Sequence, residues 1–76
     1  MREKFIKELK KYINIERIYT DEIIGYTDGT NNVRIRIDIV DEEYTISIYN
    51  YKTQQSKRIK DLNETEVFEA LDTLLN

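Results

Sequence analysis

The chain lacks cysteine, histidine, proline and tryptophan, and it has only two glycines. Without cysteine there is no disulfide, no thiolate nucleophile and no thiolate metal site. Without histidine the commonest general base and the commonest metal ligand are both missing. Gly25 and Gly29 alone cannot build a glycine-rich phosphate loop. No run approaches the roughly 20 apolar residues of a membrane-spanning helix. The opening MREKFIKELKKY is charged throughout and holds no apolar signal-peptide core. These absences predict a cytoplasmic protein that is not an enzyme, carries no cofactor and meets no membrane.

What is present is charge, laid out in blocks. The 76 residues sum to −3, and they make one small domain, residues 1–76, of marginal stability. Residues 1–13 carry five bases and two acids, residues 45–60 four bases and no acid, and residues 61–76 five acids and no base. Blocks of this kind predict either a dipolar surface that steers charged partners or a solvated surface that keeps the domain dispersed.

Apolar spacing predicts the elements. Phe5, Ile6, Leu9, Tyr12 and Ile13 form one stripe of a helix over Arg2 to Ile13, with Lys4, Lys7, Lys10 and Lys11 off that stripe. The stretch VRIRIDIV, Val33 to Val40, alternates without a break. In a strand it puts Val33, Ile35, Ile37 and Ile39 on a core face, and Arg34, Arg36 and Asp38 on the other. A second strand over Tyr44 to Lys52 brings Ile46 and Ile48 to the core face and Thr45, Ser47, Tyr49 and Tyr51 to the opposite one. A two-residue loop at Asp41-Glu42, or at Glu42-Glu43, preserves that parity.

The stretch Arg17 to Thr27 predicts one more strand, but its parity breaks at Ile23-Ile24. A turn at Asp28-Gly29 pairs Ile24 with Val33 and Ile18 with Ile39. A longer loop through Asn31-Asn32 puts Tyr19 and Ile23 inside instead, and a bulge near Gly25 reconciles the two. Lys52 to Lys60, KTQQSKRIK, reads as a strand tail or a connecting loop. Asn63 is a good N-cap, with Glu66 three residues on and Leu62 and Val67 placed as a hydrophobic staple. The stripe Val67, Phe68, Leu71, Leu74, Leu75 then predicts a helix over residues 63–75. The expected fold is α+β, in the order α-β-β-β-α: a three-stranded antiparallel meander with both helices packed on one face. Leu9, Ile35, Ile37, Ile46, Ile48, Phe68 and Leu71 are its expected core.

That plan leaves one sheet face open, with Arg34, Arg36, Tyr49 and Tyr51 on it. Antiparallel sheets commonly solvate one face, and tyrosine favours strands in any case. Tyrosine and arginine are also the preferred anchors of interfaces, and an exposed aromatic sheet can stack unpaired bases. Double-stranded RNA-binding domains share the element order, but their second helix presents lysines to phosphate. Here that helix begins Asn63 to Glu66, NETE, which repels it. Direct nucleic-acid binding is therefore not the leading expectation. The carboxylates of Asp41, Glu42 and Glu43, and the oxygen-rich DGTNN at residues 28–32, lack the spacing of a calcium loop. Both read as turn chemistry, and no metal site is expected. An acidic turn suits contact with a basic surface.

Glu43, Tyr44, Ile46 and Ser47, after Asp41 and Glu42, match an acidic turn followed by Glu-Tyr-x-Ile-Ser. In this the chain resembles small acidic phage proteins that inhibit type II-A CRISPR nucleases, the anti-CRISPR proteins. One of them has an N-terminal helix, a three-stranded antiparallel sheet and C-terminal helices. The resemblance implies a phage-encoded inhibitor in the host cytoplasm, whose acidic hairpin stands in for DNA in the arginine-lined cleft that reads the PAM. The expected function is thus a small protein-binding module facing a basic partner surface, such as a CRISPR-Cas nuclease. Asp41, Glu42, Glu43, Arg34, Arg36, Tyr49, Tyr51, Glu64, Glu66 and Glu69 are its candidate contacts. The alternatives are a single-strand nucleic-acid binder using the Arg/Tyr face, or a small subunit dimerising through an edge strand; a monomer and a homodimer both remain open.

Overall fold

Strand β3, Val33–Val40, lies at the centre of a five-stranded antiparallel sheet. The computed structural model describes residues 2–27 and 33–75. Helix α1 (Arg2–Leu9) leads into strands β1 (Ile13–Ile18), β2 (Glu22–Thr27), β3, β4 (Glu43–Asn50) and β5 (Gln55–Leu62), and helix α2 (Glu64–Leu75) follows. Each strand pairs with its chain neighbour, in the order β1-β2-β3-β4-β5.

The alternation of β3 sets the two faces. Ile35 pairs with Ile48 and Ile37 with Ile46, and across the other edge Ile37 pairs with Ile23 and Ile35 with Gly25. This face is covered by both helices. Phe5 and Leu9 of α1 and Val67 and Leu71 of α2 join Ile13, Ile23, Ile35, Ile37, Ile46, Ile48 and Leu62 in a single core. The Phe5 ring sits 5.0 Å from that of Tyr44 and 5.3 Å from that of Phe68, and Tyr12 stacks on Phe68 at 5.6 Å. Of the expected core, Leu9, Ile35, Ile37, Ile46 and Leu71 are fully buried, while Phe68 is half-buried at the margin.

Four expectations are corrected. The sheet has five strands, not three. The first helix stops at Leu9 rather than Ile13; Tyr12 and Ile13 keep to the apolar stripe, but Ile13 does so as the first residue of a strand. The stretch Arg17 to Thr27 is two strands joined by a tight turn, in which Tyr19 N–H donates to the Glu22 carbonyl at 2.7 Å. Ile18 accordingly pairs with Ile23, not with Ile39. The long-loop register of β2 on β3 is the observed one, with Ile23 inside; Tyr19 stays exposed. The expected Asp28-Gly29 turn lies outside the described residues. Finally, Lys52 to Lys60 is neither tail nor loop throughout, since it contains most of β5.

Two bulges adjust the edge strands. In β1, Ile15 faces Gly25 and Arg17 faces Ile24, so Glu16 is the extra residue. A Cβ on Gly25 would lie 2.5 Å from the Asn14 carbonyl oxygen, so only glycine admits this approach. In β5, Ile59 faces Ile46 and Leu62 faces Tyr44, which leaves Lys60 and Asp61 together opposite Thr45. Asp61 takes φ 61° there, and the bulge brings Leu62 back to the core side. Asn63 and Glu66 then close a reciprocal cap. Asn63 N–H donates to Glu66 Oε1 at 2.9 Å, and Glu66 N–H donates to Asn63 Oδ1 at 2.8 Å.

Candidate functional site

The face away from the helices is organised in cross-strand rows. One row reads Asn14, Tyr26, Arg34, Tyr49, Ser56 from β1 to β5. The next reads Arg17, Ile24, Arg36, Ser47, Arg58. Arg34 thus stands between two tyrosines, and Arg36 and Arg58 flank Ser47. Together Arg34, Arg36, Ser47, Tyr49, Ser56 and Arg58 line a groove of about 380 Å³. Tyr51 extends the aromatic surface, its ring meeting that of Tyr49 edge-on at 4.8 Å.

The arginines differ in their electrostatic state. Arg36 Nε lies 3.3 Å from Asp38 Oδ2 and 3.5 Å from Glu22 Oε2, so its charge is balanced within the sheet. Arg17 donates to the Tyr19 hydroxyl at 3.2 Å. That bond, the charge interaction with Tyr19 and the Glu16 carboxylate raise its pKa further, so it stays cationic throughout the working pH range. Arg34 and Arg58 make no ion pair or side-chain hydrogen bond with any described residue. Arg34 is half-buried and Arg58 exposed. Beside them Ile24 is only 8% exposed although it faces away from the core cluster. Its cross-strand neighbours are Arg17 and Arg36, and long arginine stems shield apolar surface of this kind.

The acidic candidates lie elsewhere. Val40 pairs with Glu43, so Asp41 and Glu42 form a two-residue loop at the β3–β4 tip. Their φ angles are 51° and 66°, positive at both positions as a type I′ hairpin turn requires. Neither residue is the glycine or asparagine that relaxes such a turn. Glu43 follows, and all three side chains are exposed. The β1–β2 turn with Asp21, the Glu22–Asp38 pair, Asp61 and the start of α2 at Glu64 share this end of the sheet. Among the described residues no group of three or more carboxylates converges as a metal site requires. The DGTNN segment lies outside the described residues.

The ten expected contacts therefore fall on three surfaces. Arg34, Arg36, Tyr49 and Tyr51 share the open face. Asp41, Glu42 and Glu43 sit at a hairpin tip. Glu64, Glu66 and Glu69 lie exposed on α2, in the helix layer on the far side of the sheet, and Glu66 is engaged in its own cap. Tyr26, Ser56 and Arg58 were not among the expected contacts. Arg58 was hidden because KTQQSKRIK shows no alternation; its one sign was Ile59, a single apolar residue inside a basic run.

Among the described residues no helix is long and apolar enough to cross a membrane. The chain matches no family model, no curated protein and no solved structure.

Proposed function

We propose that this chain is a small non-enzymatic binding module whose working surface is the open face of its sheet, and that its ligand is anionic. One observation carries this reading. Arg34 and Arg58 line a groove beside tyrosines, and neither has an acidic partner among the described residues. An unpaired guanidinium presents several donors in a fixed fork suited to carboxylate or phosphate. The test is an NMR titration with polyphosphate, polyglutamate and oligonucleotides. Amide shifts should centre on Arg34, Ser47, Tyr49 and Arg58, and Arg34→Gln with Arg58→Gln should remove them. Shifts centred on another surface, or none with any anion, would defeat the reading.

A second reading rests on the hairpin tip. Non-glycine residues in the left-handed region are strained, and such strain gathers at functional positions. Asp41 and Glu42 hold it side by side. In this reading the tip meets the basic surface of a protein partner, a CRISPR-Cas nuclease if the resemblance to anti-CRISPR proteins extends to function. Direct assay of nuclease cleavage with and without the protein tests it.

A further inference from the structure

We infer that the anion taken by the open face is single-stranded nucleic acid, with one phosphate held by Arg34, a second by Arg58, and bases laid on Tyr26 and Tyr49. This rests on the open face being the working surface and names what it binds.

The row Tyr26, Arg34, Tyr49 alternates ring, cation, ring across three adjacent strands. Strands lie about 4.8 Å apart, which sets the two ring positions about 10 Å from each other with the guanidinium between them. A single strand likewise alternates flat base and charged phosphate. Stacking on aromatic rings tolerates any base, while arginine follows the backbone. Ser47 and Ser56, within the same groove, add hydroxyl donors.

The borders of the strip exclude a duplex. Glu22 and Asp38 form the next row beyond Arg36 and neutralise it. Past them lies the acidic tip at Asp41 and Glu42. Among the described residues the carboxylates of Glu22 and Asp38 border the strip on this side and Glu16 sits beside Arg17 at its β1 end, so a second phosphate backbone on either side would lie over acids. A duplex also keeps its base faces stacked and offers nothing to the tyrosines. An acidic protein segment could satisfy the arginines, but protein interfaces are apolar at their centre. This strip presents no exposed aliphatic side chain: Ile24 is shielded, and Val40, exposed by 66%, stands outside it at the acidic end.

The test measures fluorescence anisotropy of labelled 12-mers of deoxythymidine and of uridine, against a duplex of equal length, polyphosphate and polyglutamate. The single strands should bind more tightly than the duplex, whichever sugar they carry. Two phosphate contacts predict a slope of log K against log salt of about −1.4, and Arg58→Gln should reduce its magnitude by about 0.7. Tyr49→Leu should weaken the single strands by about 5- to 150-fold and leave polyphosphate unchanged. If polyphosphate or polyglutamate binds as well as the single strands and Tyr49→Leu affects neither, the inference fails while the anionic reading stands. Equal or tighter duplex binding also overturns it. Absence of binding to every anion overturns both.

Discussion

At the scale of single residues, two positions hold the sheet to its neighbours. Leu71 is fully buried between α2 and the strands. Leu71→Ala should destabilise the domain by about 2–5 kcal/mol, read from denaturant unfolding. For a chain of this size that is a large part of the total. Gly25 acts through space rather than packing. Its substitution by alanine sets a methyl group against the Asn14 carbonyl, a backbone atom that cannot rotate away. Gly25→Ala should cost about 1–3 kcal/mol and loosen β1 first, so amide exchange at Ile13 to Ile18 should rise more than in β3. The parity break suggested a bulge near Gly25 in the pairing with β3, but that pairing is regular; the bulge lies instead in β1, at Glu16, across from Gly25 and Ile24. The burial of Ile24 was not legible, because its cover comes from arginines on two other strands.

At the scale of elements, legibility followed alternation. β3 and β4 announce themselves by alternation, with Val33, Ile35, Ile37 and Ile39 on one face of β3 and Tyr44, Ile46 and Ile48 on one face of β4. α2 does so through its cap and its stripe. β5 does not, since an edge strand with a bulge contributes only Ile59 and Leu62 to the core side and exposes nearly everything else. β1 was not legible as a strand of its own, because Ile13 fits the helical stripe as well as a strand start, and Arg17 and Ile18 read as the beginning of the following strand. The Asp41-Glu42 loop was legible as one of two choices, and its strain follows from the type I′ geometry. Asp41→Asn with Glu42→Gly should therefore stabilise the domain by about 0.5–2 kcal/mol in thermal or denaturant unfolding. Were the tip a partner contact, the same pair would weaken that association, a trade that a stability measurement and a binding measurement together reveal.

At the scale of the whole molecule, acids collect at one end of the sheet, while Arg34 and Arg58, with no ion pair among the described residues, stand on one of its faces. Asp41, Glu42 and Glu43 changed together to Gln leave the groove intact and remove three negative charges beside it. Oligonucleotide affinity at low salt should rise, and the gain should shrink as salt shortens the reach of the field. A basic protein partner gives the opposite sign, a slower association rate whose deficit also shrinks with salt. One triple variant thus separates the two readings of the surface. The charge blocks were visible in the sequence. Their meaning was not, because Arg34 lies in the acidic stretch of residues 33–44 and Arg58 in the basic stretch of residues 45–60, and the two come to line one groove only when β5 joins the sheet.

The meander also sets the order in which the chain acquires its structure. Every strand pairs only with the strand next to it in sequence, and hairpins of this kind close within about 1–10 μs. The Phe5–Phe68 contact instead joins the two terminal helices and so spans nearly the entire chain. Closing so long a loop in the unfolded chain costs more entropy than closing any one of the hairpins. The sheet can assemble while the helices are still free, and their docking then seals it. Substitutions in the Phe5, Tyr12 and Phe68 cluster should accordingly speed unfolding and leave the refolding rate nearly unchanged, whereas Ile35→Val and Ile46→Val should slow refolding.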